Sequence, residues 1–245
     1  MIFYAITNTG RIRSNNQDYV FASDVDTGAL PNLFIVADGM GGHQAGEYAS
    51  ETAVRTVLDE IRSKQISEPI PAIDSAIKFA NKRLYTESAE DPSKSGMGTT
   101  FVAATICDEH LYVANVGDSR LYVVEDKGLR QVTRDHSVVE ELVRSGGLTK
   151  EAARKHVDKH QITRAVGAEE NVKVDFFDVP VSDVHQLLMC TDGLTNMLSD
   201  DEIEEILLSD NKVKQKAEML VNKANEKGGK DNITVVVIDS FTDEV

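Results

Sequence analysis

The chain has 245 residues, with 41 acidic side chains against 26 basic ones and a formal net charge of −15. A surface this acidic repels nucleic acid and anionic lipid, so neither is an expected partner, and any phosphate chemistry needs a local reversal of sign. Apolar residues make up 41% of the chain, enough for a substantial core, and no apolar run approaches the ~20 residues of a membrane-spanning helix.

The first residues, MIFYAITNTGRIR, lack a basic region followed by a long apolar one, so no signal peptide is read there and the protein is expected to be cytoplasmic. Residues 2–7, 19–23 and 33–37 read as strands, the last of them buried. From Ala45 to about Lys64, apolar positions four apart predict a helix, and SEPIP breaks it. A second helix carries Ile70, Ile73, Ile77, Ala80 and Leu84 on one side. Strands follow at TTFVAATIC, HLYVANVG and RLYVVED, with a hairpin around Asp126-Lys127-Gly128. Short helices over 136–156 are broken at Gly146-Gly147, and VKVDFFDV and HQLLMC return to strand. Ser199 with Glu202 forms a capping box, a last helix runs from Val213 to Gly228-Gly229, and ITVVVID closes the chain as a strand. Adjacent strands and paired helices argue for an α+β layered domain rather than a βαβ repeat.

The two cysteines, Cys107 and Cys190, lie far apart at the ends of strand-like runs and read as buried free thiols. Val113 and Asn196 stand six positions beyond them, where the phosphate loop of a cysteine phosphatase needs Arg.

Acidic residues recur at strand ends: Asp18 in NNQDYV, Asp38 in IVADGMGGH, Asp118 in VGDSR, Asp192 in CTDGL and Asp231 in KGGKDNIT. A single Asp-Gly is most simply a turn. Here the residues after Asp38 and Asp192 run into Gly-rich coil or a capped helix instead of a matching strand. Carboxylates gathered at strand ends repel one another and stay ionised together only beside a cation. All-oxygen ligands favour Mg²⁺ or Mn²⁺, and no His- or Cys-rich cluster suggests zinc. Gly39, without a side chain, leaves its carbonyl free to approach an ion. Two ions about 3.5–4 Å apart activate a water and hold phosphate oxygens.

RSNNQD (13–18), VADGMGGHQAGEYAS (36–50), GMGTT (96–100), VGDSRLY (116–122), ITRAVG (162–167), CTDGL (190–194) and GGKDNIT (228–234) occur in order. Together they resemble the metal-dependent Ser/Thr protein phosphatases of the type 2C, or PPM, family, in its bacterial branch. The resemblance spans nearly the whole chain. It implies a four-layer α-β-β-α sandwich, two antiparallel sheets flanked by helix pairs, over a single catalytic domain 1–245 with a flap at about 137–165. It implies hydrolysis of phosphoserine and phosphothreonine by a metal-activated water at a dinuclear Mn²⁺/Mg²⁺ centre, with no covalent phosphoenzyme. Asp38 is then the bridging ligand, completed by the Gly39 carbonyl, Asp192 and Asp231, with Asp18 bound directly or through a water. Asp118 serves a possible third ion, and Arg13 binds the substrate phosphate, a task that suits a guanidinium fork. Asn232 is either a partner of Asp231 or a residue that merely starts the last strand. The partners implied are phosphorylated proteins and a cognate Ser/Thr kinase, met by a monomer.

Two positions depart from animal members of that family. Met40 stands where they carry His after the Asp-Gly, so His43 is the candidate for protonating the leaving group, against a metal-activated water as the acid. Gln17 stands where they carry Glu, which changes the surroundings of Asp18. The histidines at 110, 136, 156, 160 and 185 show no ligand spacing. Segment 144–164 carries Arg144, Lys150, Arg154, Lys155, Lys159 and Arg164 against Glu151 and Asp158, which suits a flap meeting an acidic phosphopeptide or, equally, a solvated helix face.

Two other classes compete. A pseudoenzyme that binds phosphoproteins is disfavoured by the full carboxylate set. A nucleotide-binding domain fails because GMGGHQAG does not place its glycines as Gly-x-Gly-x-x-Gly and no Gly-Lys-Ser/Thr loop follows.

Overall fold

Most of the apolar runs are rich in β-branched residues, which pack well on a pleated surface, and they pair as strands. A computed structural model describes residues 1–42, 44–153 and 156–239. The strands are β1 (Ile2–Asn8), β2 (Asp18–Ser23), β3 (Leu33–Met40), β4 (Gly98–Thr99), β5 (Phe101–Cys107), β6 (His110–Val116), β7 (Arg120–Glu125), β8 (Gly128–Gln131), β9 (Asp175–Pro180), β10 (Val184–Cys190) and β11 (Ile233–Asp239). The helices are α1 (Ala45–Lys64), α2 (Pro69–Glu90), α3 (Val138–Arg144), α4 (Lys150–Ala153), α5 (Asp192–Thr195), α6 (Asp200–Leu207) and α7 (Val213–Glu226).

One sheet has the order β1-β11-β10-β7-β8, and the other β2-β3-β5-β6-β9 with β4 paired to the end of β3. Every strand pair is antiparallel. The two sheets pack face to face through Phe34, Val36, Val102, Leu121, Val123, Leu187, Met189 and Val236, all with no exposed surface. Helices α1 and α2 cover the outer face of the second sheet through Val57, Ile73, Ile77 and Leu84. Helices α5 to α7 cover the first through Leu194, Ile203, Leu207 and Leu220. The architecture is therefore the four-layer α-β-β-α sandwich. Each sheet buries one face on the other sheet and one on helices, which explains the nearly continuous apolar runs of β3, β5 and β11.

Helix α1 has the bounds that its four-residue spacing predicts, and the Ser199–Glu202 capping box is present. Pro69 opens α2 instead of merely breaking α1, because its missing N–H is harmless in a first turn. The coil expected after Asp38 does not begin there. β3 continues to Met40 because Gly39 and Met40 pair with Thr99 and Gly98. The run TTFVAATIC is correspondingly split at Thr100 into β4 and β5. The segment between β8 and β9 leaves the sandwich at one point. Its ends are tied by a bridge between Ser137 and Ile162, by His136 N–H to the Gly117 carbonyl (2.9 Å) and by Thr163 N–H to the His136 carbonyl (2.8 Å).

Candidate active site

The antiparallel register of β2 and β3 sets Asp18 directly opposite Asp38. Two carboxylates on one cross-strand pair repel, so the surroundings must fix them. Asp18 is buried, and its Oδ2 accepts from Thr234 Oγ1 at 2.6 Å and Thr191 Oγ1 at 2.9 Å. Its Oδ1 is buried without a hydrogen-bond partner among the described residues. Burial, only partly offset by the two threonines, raises the Asp18 pKa to about 7.

Asp38 is held by its backbone. Its N–H donates to Thr100 Oγ1 (2.9 Å), and its carbonyl accepts from Thr100 N–H (2.8 Å) and Thr99 Oγ1 (2.9 Å). That is the local task of the GMGTT motif. Burial, and then repulsion from Asp18, Asp192, Asp118 and Asp231, push the Asp38 carboxyl well above the ordinary range. Asp118 is raised as well, by burial and then by Asp192 and Asp135. Two residues on, Arg120 is forked onto Asp135 (2.9 and 2.6 Å) and donates to Tyr122 Oη, which ties the Asp118 turn to the base of β8.

Gly39 is required by close approach: a Cβ there would lie 1.9 Å from the Gly46 carbonyl oxygen at the start of α1. The same argument fits Gly193, whose Cβ would meet the Asn232 carbonyl oxygen at 1.9 Å. This contact seats the CTDGL turn against the KDN turn. Asp192 Oδ2 accepts from Asn196 Nδ2 (2.8 Å), and its Oδ1 is buried without a partner among the described residues. Asp231 Oδ2 accepts from Arg13 Nη2 at 2.8 Å. Asn232 is a positioning residue: its Oδ1 accepts from Gln17 N–H (2.8 Å), and its Nδ2 donates to the Thr9 and Asn15 carbonyls (2.9 Å each). It therefore holds the loop that carries Arg13 against the Asp231 turn.

Arg13, Asp38, Gly39, Asp118, Asp192 and Asp231 thus line one cavity of about 590 Å³, and Asp18 lies buried behind Asp38 in the strand register. Met40 is in the wall; His43 lies outside the described residues. His160, to which sequence spacing assigned nothing, also lines the cavity, with Nδ1 3.9 Å from Asp192 Oδ2. Lys159 and Lys230 join it. Only the basic character of the 144–164 segment hinted at the first two. His136, by contrast, is a buried structural residue whose Nδ1 accepts from Gly117 N–H (3.0 Å).

Among the described residues, no three carboxylate, imidazole or thiol groups are gathered into one ready-made ligand cage. Asp38, Asp118, Asp192 and Asp231 instead share a cavity with Asp18 outside its lining, and one oxygen each of Asp192 and Asp18 is buried and unpartnered among the described residues. Such atoms are costly to bury alone and suit a hard cation. A donor set of carboxylates and one backbone carbonyl fits Mg²⁺ or Mn²⁺.

A two-sheet sandwich with an acid-lined cavity at the strand ends is the scaffold of a metal-dependent hydrolase. A family model for protein phosphatase 2C matches residues 10–234. The chain is 43% identical over 242 residues to the serine/threonine phosphatase stp of Listeria monocytogenes serotype 4b, covering 95% of this chain and 93% of the relative. It is 37% identical to the protein phosphatase PhpP of Streptococcus pneumoniae, with 95% of each covered. The crystal structure of serine/threonine phosphatase Stp1 from Staphylococcus aureus superposes with a TM-score of 0.91 at 32% identity, covering 98% of this chain and 95% of that one. The chain belongs to the bacterial protein phosphatase 2C family, and it is a metal-dependent phosphoprotein phosphatase.

Proposed function

We propose that the protein hydrolyses phosphoserine and phosphothreonine in proteins at a dinuclear Mn²⁺ or Mg²⁺ centre. The observation that carries this reading is the set of mutually repelling carboxylates, Asp18 and Asp118 buried and Asp38 and Asp192 half-buried, with one unpartnered oxygen each on Asp18 and Asp192 among the described residues and Arg13 paired to Asp231 alongside. Asp38 would bridge the ions, with the Gly39 carbonyl, Asp192 and Asp231 completing the set, Asp18 held directly or through a water, and Asp118 serving a third ion. When bound, such ions lower the pKa of water and neutralise phosphate charge. Arg13 sits half-exposed at the rim, where its guanidinium can exchange part of its contact with Asp231 for phosphate oxygens. The Asn232 contacts keep that loop in place while it does so. The segment at about 137–165 acts as a flap, with Lys159 and His160 offered to the substrate beside the cavity. Its phosphoprotein substrates are products of a Ser/Thr kinase, which this enzyme opposes as a cytoplasmic monomer. No described helix is long and apolar enough to cross a membrane.

The test is hydrolysis of a phosphothreonine peptide by chelator-stripped protein with Mn²⁺ or Mg²⁺ restored, beside Asp38→Asn. Turnover that needs the metal and disappears in the variant is expected. A folded protein that binds the peptide yet never cleaves it would replace this reading with a phosphoprotein-binding one. For the flap, Lys159→Ala should raise KM for the peptide severalfold more than for an aryl phosphate, and equal effects on both would remove the flap's role. Lys155, the other lysine named from sequence, lies outside the described residues.

A further inference from the structure

A second cavity, of about 780 Å³, opens beside the candidate active site. It shares Arg13, Gln17 and Gly41 with the acid-lined cavity, so the two are continuous through the phosphate-facing arginine. Its size falls within the range of ligand pockets. Its outer wall is Gln44 and Tyr48 from the start of α1, and Lys94 from the 3₁₀ turn Pro92–Lys94.

Charge distinguishes this groove. In a chain of net charge −15, no acidic side chain among the described residues lines it. Lys94 Nζ lies 3.9 Å above the Tyr48 ring centroid and 3.2 Å from Glu87 Oε2. Glu87 offsets Lys94 only in part, because it is shared. It also accepts from Arg83 Nε (3.0 Å) and from Tyr48 Oη (2.6 Å). Asp91 on the same turn is also within electrostatic reach of Lys94, so the charges behind the wall balance, while the wall itself presents Arg13 and Lys94 with no acid among the described lining residues. The Lys94 backbone is fixed as well, since its carbonyl accepts from Ser88 Oγ (3.1 Å) and the turn is closed by Asp91 accepting from Ser93 N–H (2.9 Å). A cation mounted rigidly at the end of a groove that starts at the phosphate arginine is placed to read a neighbouring residue of the substrate.

We infer that this groove receives the residues on one side of the phosphoserine or phosphothreonine, and that Lys94 selects a carboxylate side chain there. The inference rests on the phosphatase reading and adds a specificity-determining residue to it. Tyr48, with Lys94 over its ring, and the exposed Gln44 at the edge suit an extended peptide that carries an acidic side chain.

The test uses phosphothreonine peptides with Glu, Ala or Lys pairs placed before or after the phosphoresidue, assayed with the metal-supplemented full chain. The value of kcat/KM is divided by that for p-nitrophenyl phosphate, which carries no flank. On one side only, acidic flanks should exceed basic ones by about threefold to tenfold at low salt, an exposed ion-pair effect that shrinks as salt is added. Lys94→Glu should cancel or invert this ranking, and Lys94→Arg should keep it. The same ranking in wild type and Lys94→Glu, or none in wild type, would overturn the inference. The same peptides carrying a non-hydrolysable phosphonate, followed by fluorescence anisotropy, decide the groove separately. Loss of all turnover with the ranking kept in binding would sink the phosphatase reading and leave the groove standing.

Discussion

At the scale of single residues, the centre is built from groups that are unfavourable where they stand. Asp18 is the clearest case, with its pKa raised by burial from 3.8 to about 7. A carboxyl whose folded value exceeds its unfolded one contributes stability below the unfolded value and loses it as pH rises through the folded one. In chelated protein, Asp18→Asn should therefore match wild type near pH 4 and become progressively more stable than it toward pH 8. The gap in Tm should reach about 5 °C, with activity falling in the metal-loaded enzyme. A gap that stays flat with pH would refute the raised carboxyl. Comparing the two proteins cancels the opposite trend of His136, whose burial-lowered pKa costs stability as pH falls below its ordinary value of 6.5.

At the scale of elements, backbone contacts set the positions of the functional oxygens. Strand β3 reaches Met40 with α1 starting directly against it, a close approach that needs glycine at both Gly39 and Gly46. Gly39→Ala and Gly193→Ala each drive a Cβ into a backbone carbonyl, so both should cost several kcal/mol or prevent folding, about 3 or more by the measure of overpacked cores. Gly42→Ala is the control. It meets nothing within 4 Å and should change stability by no more than about 0.5 kcal/mol. Thermal melts of the three variants check this, and an equal loss for Gly42→Ala would discredit the close-approach argument. The helix at Ala45–Lys64 and the Asp-ended strands were legible in sequence because their signal is local: one apolar face, or one apolar run with an acid after it.

At the scale of the whole molecule, the inter-sheet core holds the two halves of the site together. Asp18 and Asp38 belong to one sheet, while Asp192 and Asp231 lie beside strands β10 and β11 of the other. Phe34 packs between the sheets, edge-on to Phe3 at 5.3 Å between centroids. Phe34→Ala should cost about 3–5 kcal/mol and raise the Mn²⁺ concentration needed for half-maximal activity, because the inter-sheet packing that sets the acids' separation is lost. Unchanged metal dependence in a destabilised variant would separate the core from the site.

The sequence by itself determined the layered α+β class, the helix limits set by periodicity, and the acids, since residue type and spacing carry those signals along the chain. Tertiary structure alone decided that Asp18 faces Asp38 across a ladder, that Thr191 and Thr234 hold Asp18, and that Asn232 pins the Arg13 loop. It also brought His160 to Asp192 and set Lys94 at the end of the groove that starts at Arg13. These partners are separated by up to 223 residues along the chain. Strand register and sheet packing, rather than any local pattern, bring them together.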